Sequence, residues 1–312
     1  LAVLGNVVTR QLPVLGRLNE LKIPYLSLPQ ALGDIFMKSS RNLVVAGCHG
    51  KTTTTAMCAH LWNQAGLKPG FLIGGSSLDF TRPWNLGKGD CFIMEGDEYD
   101  SAFFNKVPKF MHYRPHTVIL TSVEFDHADI YPDLESVKQA YRSLMKLIPR
   151  DGRLVACGDD PLVREVARDC RGRVEFYGQG ENNDWQLESY ASNEFGSDFE
   201  MTGPEGFYIR LSLSLPGVYN AVNALAATAA FIGQGGDGRL PSVAFKSFQG
   251  VKRRQEFLGD FNGISLIDDF AHHPSAVEKT LAALRAAFPG RRLLAAFEPR
   301  SNTSRRAIFQ MD

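Results

Sequence analysis

Residues 43–55 read Leu-Val-Val-Ala-Gly-Cys-His-Gly-Lys-Thr-Thr-Thr-Thr. An apolar run, Leu43 to Ala46, passes into a segment with two glycines, a lysine and a row of hydroxyls. That order predicts a strand, a tight loop and the first turn of a helix. Backbone N–H groups at such a helix start cradle phosphates, with Lys51 on the phosphates and Thr52 on Mg²⁺. The stretch therefore points to ATP or GTP and to phosphoryl transfer. It is shorter than the common G-x-x-x-x-G-K-[ST] pattern. Val45 stands five before Gly50, and the nearest glycine is Gly47, which leaves G-x-x-G-K-T.

Outward from this loop, the chain alternates strand and helix. A helix is expected from Lys51 to Ala65, stopped by Gly66. Cys91 to Met94, Val118 to Thr121 and Leu154 to Cys157 are short apolar runs without alternation, as in parallel strands buried on both faces. Helices are expected over Leu134 to Leu147 and Pro161 to Asp169, and a strand over Val174 to Tyr177. The fold class is α/β, with a doubly wound central sheet carrying the phosphate loop. Residues 185–215 alternate polar and apolar and predict an antiparallel patch. Asn220 to Ile232 predicts an Ala-rich helix, followed by a loop and a short helix.

Two further units flank this one. Residues 1–40 carry strands at Ala2 to Leu4 and Pro24 to Ser27, with a helix at Pro13 to Leu21. After Gly250 come a hairpin turning at Asn262-Gly263, a helix from Ser275 to Phe288 and a strand from Leu293 to Phe297. The chain begins at Leu1 inside an apparent strand and stops soon after another, which reads as a piece of a longer protein.

Composition excludes several classes. The 312 residues are 44% hydrophobic and 22% charged, and 34 basic residues balance 34 acidic ones. There is no basic excess to recruit nucleic acid. Five scattered cysteines without a CxxC pattern read as reduced, cytoplasmic thiols. No apolar run is long enough to span a bilayer.

Two acidic segments follow predicted strands. Glu95-Gly96-Asp97-Glu98-Tyr99-Asp100 puts Glu95 at a strand's C-terminal end, where open α/β sheets bind ligands. Glu124-Phe125-Asp126-His127 follows the strand at Val118. With the loop they converge on one Mg²⁺-phosphate site. His127 by spacing alone is a cap or structural residue, because imidazole suits softer metals. Asn220 and Asn223 share a helix face. An asparagine amide matches the edge of adenine, but from composition alone helix capping by Asn220 and a satisfied amide at Asn223 is the preferred reading. Lys252-Arg253-Arg254 is a phosphate clamp or a solvated turn. His272 and His273 are adjacent on an extended segment, so they point opposite ways and do not chelate together.

In order, GCHGKTTTT, EGDEYDSAFF, EFDHADIY, LPGVYNAVNALAA, GVKRRQEFLG and IDDFAHHPSA resemble the Mur ligases, ATP-dependent amide-bond-forming enzymes of bacterial cell-wall synthesis. The resemblance runs from residue 46 to about 276. It implies three parts: residues 1–40 as the remnant of an N-terminal UDP-binding domain, 41–240 as the central ATP-binding domain, and 241–312 as the start of a Rossmann-like C-terminal domain. The outer two are partial. The resemblance places ATP on Gly47, Cys48, His49, Gly50, Lys51, Thr52, Thr53, Asn220, Asn223, Arg254 and Asp269. It assigns Mg²⁺ to Thr52, Glu95 and His127, and catalysis to Lys51, Glu95, His127 and Arg254. In it Asn223 reads adenine, Asn220 lies near the phosphates, Asp269 holds the ribose, and Arg254 reaches the phosphates on domain closure. The wording is closest to the branch that joins UDP-N-acetylmuramate to the recycled tripeptide L-alanyl-γ-D-glutamyl-meso-diaminopimelate. The branch that adds L-alanine shares the KRR and DD-x-x-HHP patterns and is the alternative. A non-catalytic nucleotide-binding protein is the alternative of a different class. Cys48 replaces a hydroxyl residue common in the family, and a thiol near a helix start is expected to be reactive. Tyr219 stands where histidine is common. Some relatives carry a carbamylated lysine one helix after the His127 motif. This chain has Arg142 near that position and Lys138 a turn earlier, and no such modification is assigned.

Overall fold

A computed structural model of the chain describes residues 1–125 and 130–298. Its elements begin with β1 (Ala2–Leu4), α1 (Pro13–Glu20), β2 (Tyr25–Ser27) and the single turn α2 (Leu28–Ala31). The central part follows with β3 (Arg41–Ala46), α3 (Lys51–Gln64), β4 (Gly70–Leu72), β5 (Trp84–Asn85), β6 (Cys91–Glu95), β7 (Asp100–Ala102), β8 (Asn105–Pro108) and β9 (Pro115–Leu120). Then come α4 (Leu134–Leu147), β10 (Arg153–Cys157), α5 (Pro161–Ala167), β11 (Arg173–Gly178), β12 (Trp185–Asn193), β13 (Gly196–Gly203), β14 (Phe207–Leu213), α6 (Val218–Gly233) and α7 (Leu240–Ser247). The last three are β15 (Glu256–Phe261), β16 (Ile264–Asp268) and α8 (Pro274–Ala287).

One ten-stranded sheet dominates, in the order β14-β13-β12-β11-β10-β9-β3-β6-β4-β5. From β11 to β4 all neighbours are parallel, and β12, β13 and β14 extend the sheet as an antiparallel meander. Side chains of β3 alternate between two cores. Leu43 and Val45 join α3, α6 and α7 on one face, while Val44 and Ala46 join α4 and α5 on the other. Burial on both faces is why these strands read as unbroken apolar runs. Helix α3 is buried from Thr52 to Trp62, and Trp62 meets Phe231 of α6 edge-on at 4.9 Å. Helix α6, the most apolar stretch, is therefore a core helix. No helix among the described residues is long and apolar enough to cross a membrane.

The flanking parts are separate small sheets: β1 pairs with β2 in parallel, and β15 with β16 as a hairpin. One expectation fails. Leu293 to Phe297 forms no strand. A strand needs a ladder partner, and among the described residues the other strands of this part, β15 and β16, pair with each other in a two-stranded sheet. The short hairpin β7–β8 went unread because Asp100 to Pro108 has neither alternation nor a clear turn pair.

Candidate active site

Sheet register assembles the site. In the parallel ladders, Val45 aligns with Glu95 and Ala46 with Leu120. The exits of β3, β6 and β9 therefore lie side by side, at the crevice where such sheets bind ligands. Residues 121–122 strap the loop down. Thr121 Oγ1 donates to His49 O at 2.5 Å, Cys48 N donates to Ser122 O at 3.1 Å, and His49 N donates to Ser122 Oγ at 3.1 Å. Gly47 has φ +126°, and a Cβ there would sit 2.2 Å from Thr121 Oγ1 and 2.8 Å from Ser122 N. Gly50, at φ +77°, opens α3 and lies against the Asn223 amide, 2.9 Å from where its Cβ would be. Both positions demand glycine. The first bond of α3 runs from Thr54 N to Gly50 O, so the preceding N–H groups stand ahead of the helical ladder.

Lys51 Nζ donates to Gly47 O at 2.6 Å and to both Glu98 oxygens at 3.1 Å. Burial opposes its charge most strongly, but Glu98, Cys48, Glu95 and Asp97 together outweigh burial and raise the lysine pKa above its ordinary value. Thr52 Oγ1 donates to Glu95 Oε1 at 3.2 Å, and Gly74 N donates to Glu95 Oε2 at 2.9 Å. Arg254 brings its Nη2 to 3.4 Å from Thr52 Oγ1 and its guanidinium to 5.0 Å from the Phe270 ring. Asp269 accepts from Gln255 N at 2.8 Å and Ala271 N at 2.7 Å. Asn220 donates to Pro216 O at 2.7 Å and to Gln255 Oε1 at 3.0 Å, tying α6 to the segment that carries Arg254.

One cleft of about 410 Å³ is lined by Cys48, His49, Gly50, Lys51, Thr52, Thr53, Glu95, Asn220, Asn223, Arg254 and Asp269. Gly47 is not among the lining residues and is tied to the cleft through its bond from Lys51. His127 lies outside the described residues. Glu98, Thr121, Ser122 and Phe270 also line the cleft and were not singled out from sequence. Glu98 was visible within the acidic run, but nothing local marks which acid meets Lys51.

Cys48 corrects an expectation. Burial, reinforced by Glu98, pushes its thiol up to about 12. Its Sγ accepts from Glu124 N at 3.1 Å, so it is a tied, protonated thiol. Lys138 pairs with Glu135 and Glu165, each at 2.7 Å. Those two carboxylates favour its charged form and raise its pKa above the ordinary value.

Residues 45–231 match the model of the Mur ligase middle domain, and residues 253–311 that of the Mur ligase glutamate ligase domain. The chain belongs to the Mur ligase family. Its whole length is 40% identical to the UDP-N-acetylmuramate–L-alanyl-γ-D-glutamyl-meso-2,6-diaminoheptandioate ligase of Escherichia coli K12, covering 68% of that protein. Among solved structures, the corresponding ligase from Neisseria meningitides superposes with a TM-score of 0.73 at 36% identity, over 80% of this chain and 79% of that one. The UDP-N-acetylmuramate–alanine ligase of Thermotoga maritima superposes at 0.76 over 92% of this chain and 64% of its own. At 23% identity it shares the Mur ligase fold.

Proposed function

We propose that this Mur ligase joins L-alanyl-γ-D-glutamyl-meso-diaminopimelate to UDP-N-acetylmuramate at the expense of ATP, in peptidoglycan recycling. The observation that carries this reading is whole-length 40% identity to a ligase of that name, with the phosphate-loop residues and Arg254 in one cleft. Such a reaction uses a UDP-linked sugar and ATP and belongs in the cytoplasm.

Thr52 and Glu95 fit Mg²⁺. Both offer hard oxygen donors, already 3.2 Å apart, on the wall beside the loop. They would hold the ion, with His127 as the further ligand that the family resemblance names. The ion would neutralise charge on the phosphates. In the reaction, the muramoyl carboxylate attacks the terminal phosphorus of ATP and ADP leaves. The peptide amine then attacks the acyl phosphate, and phosphate departs. The chain supplies position and charge. The N–H groups at the start of α3 and Lys51 hold the transferring phosphate, and Arg254 adds a second cation beside Thr52. Asn223 and Asp269 would orient the nucleoside. Phe270 and Tyr219, lining the same cleft, help to exclude the water that would hydrolyse the acyl phosphate.

Phosphate release from ATP by the whole protein tests the reading. With UDP-N-acetylmuramate present, the tripeptide should support turnover and L-alanine should not. Turnover with L-alanine alone would assign the chain to the alanine-adding branch. Unchanged nucleotide binding in Lys51→Ala would count against both.

A further inference from the structure

Beside the cleft lies a cluster whose side chains take no step in the mechanism above. His49 comes from the phosphate loop, Glu124 from the exit of β9, and His273 and Ser275 from the start of α8. Glu124 Oε2 lies 3.2 Å from His49 Nε2 and 3.4 Å from His273 Nδ1. Ser275 Oγ donates to the same oxygen at 2.7 Å and lies 3.2 Å from His49 Nε2. We propose that His49, Glu124 and His273 bind a divalent cation of the zinc class, at a site distinct from the oxygen donors Thr52 and Glu95.

The donor chemistry selects the ion. Two imidazole nitrogens and one carboxylate oxygen suit zinc and repel the preference of Mg²⁺ for oxygen alone. The spacing agrees. Zinc bonds of about 2.0–2.1 Å in a tetrahedron put the ligand atoms about 3.3–3.4 Å apart. The two contacts at Glu124 Oε2 have that edge length, and the three donor atoms lie within 4.8 Å of one another. The site is also sheltered: the three side chains are 20%, 27% and 10% exposed. Ser275 Oγ stands within reach of all three, 2.8 Å from His273 Nδ1 as well, as a fourth donor or as a hydrogen-bond partner to the carboxylate. His272 takes no part. It is half-buried, and its Nδ1 faces Phe270 O at 3.0 Å. A cation here would fasten the start of α8 to the phosphate loop, a few residues from where Asp269 enters the cleft.

Calorimetric titration of the whole protein with zinc chloride in excess Mg²⁺ tests this, together with cobalt(II) followed by visible absorbance. One equivalent should bind, and cobalt should give the bands of a tetrahedral nitrogen–oxygen site without thiolate charge transfer. Affinity should fall at least about tenfold in Glu124→Gln and in His273→Ala. Failure of zinc to bind the wild type would overturn the proposal and leave the four groups as a hydrogen-bonded clasp. A thiolate band, or unaltered affinity in both variants, would place the metal on cysteine and overturn it as well. Should a variant misfold, the wild-type cobalt spectrum decides alone.

Discussion

Replacing Glu98 by glutamine separates the charge of the cleft from its shape. Lys51 Nζ lies 3.1 Å from both carboxylate oxygens, and the two side chains are only 14% and 2% exposed. At an effective dielectric of about 20, two unit charges at that distance attract by roughly 5 kcal/mol. Much of this offsets desolvation, and removing one partner of a buried pair costs about 3–5 kcal/mol. Glutamine keeps an acceptor oxygen of the same shape, so the lower end applies, about 3 kcal/mol. For a unit of this size that lowers Tm by about 6–12 °C. Nucleotide should act in the opposite sense. In the wild type, a phosphate that pairs with Lys51 must displace Glu98. In Glu98→Gln it meets a lysine whose charge is uncompensated, so a non-hydrolysable ATP analogue with Mg²⁺ should raise Tm more in the variant. Scanning calorimetry with and without the analogue reads both quantities. A variant that melts within about 2 °C of the wild type would refute the buried-pair argument. A smaller nucleotide effect in the variant would refute the competition between Glu98 and phosphate.

Two further outcomes follow from the same geometry. Gly47→Ala forces an alanine to φ +126° with its Cβ against Thr121 and the Ser122 backbone, strain of about 1–3 kcal/mol before the overlap is relieved. Since 1.4 kcal/mol is tenfold, nucleotide affinity should fall by about tenfold or more, and wild-type affinity by fluorescence titration would refute the loop geometry. At Glu124, burial opposes the carboxylate, but bonds from His49 and Ser275 and the charge of His273 prevail and bring its pKa from 4.5 to about 2. A depressed folded-state value contributes stability above pH 4.5 that is lost as the pH falls from there toward 2. Acid titration by circular dichroism should therefore be shallower for Glu124→Gln in that window, and parallel curves would refute the assignment.

Much of the central sheet could be read along the chain. Runs such as Leu43 to Ala46 and Val118 to Leu120 are apolar at every position because helices cover both faces, and that signal is local. The antiparallel meander was legible from the alternation in Tyr208 to Leu213. What escaped reading depends on partners distant in sequence. Leu293 to Phe297 has the composition of a strand but pairs with no strand among the described residues. Cys48 looked activated by its helix start, yet burial and Glu98 decide its protonation. Glu98 itself is one acid among four in Glu95 to Asp100, and only the turn after β6 selects it for Lys51.

The sequence by itself determined the class of ligand and the family. Glycines at 47 and 50, a lysine and a hydroxyl run state their chemistry within ten residues, because a phosphate cradle is built from consecutive backbone. Tertiary structure alone decided how the charges pair. Glu95, Glu124, Arg254 and His273 reach the loop through strand register and chain crossovers that bring together groups up to 226 residues apart, as Ser275 and His49 show. Coulomb and hydrogen-bond energies depend on distances of a few ångströms, and spacing along the chain does not encode those distances.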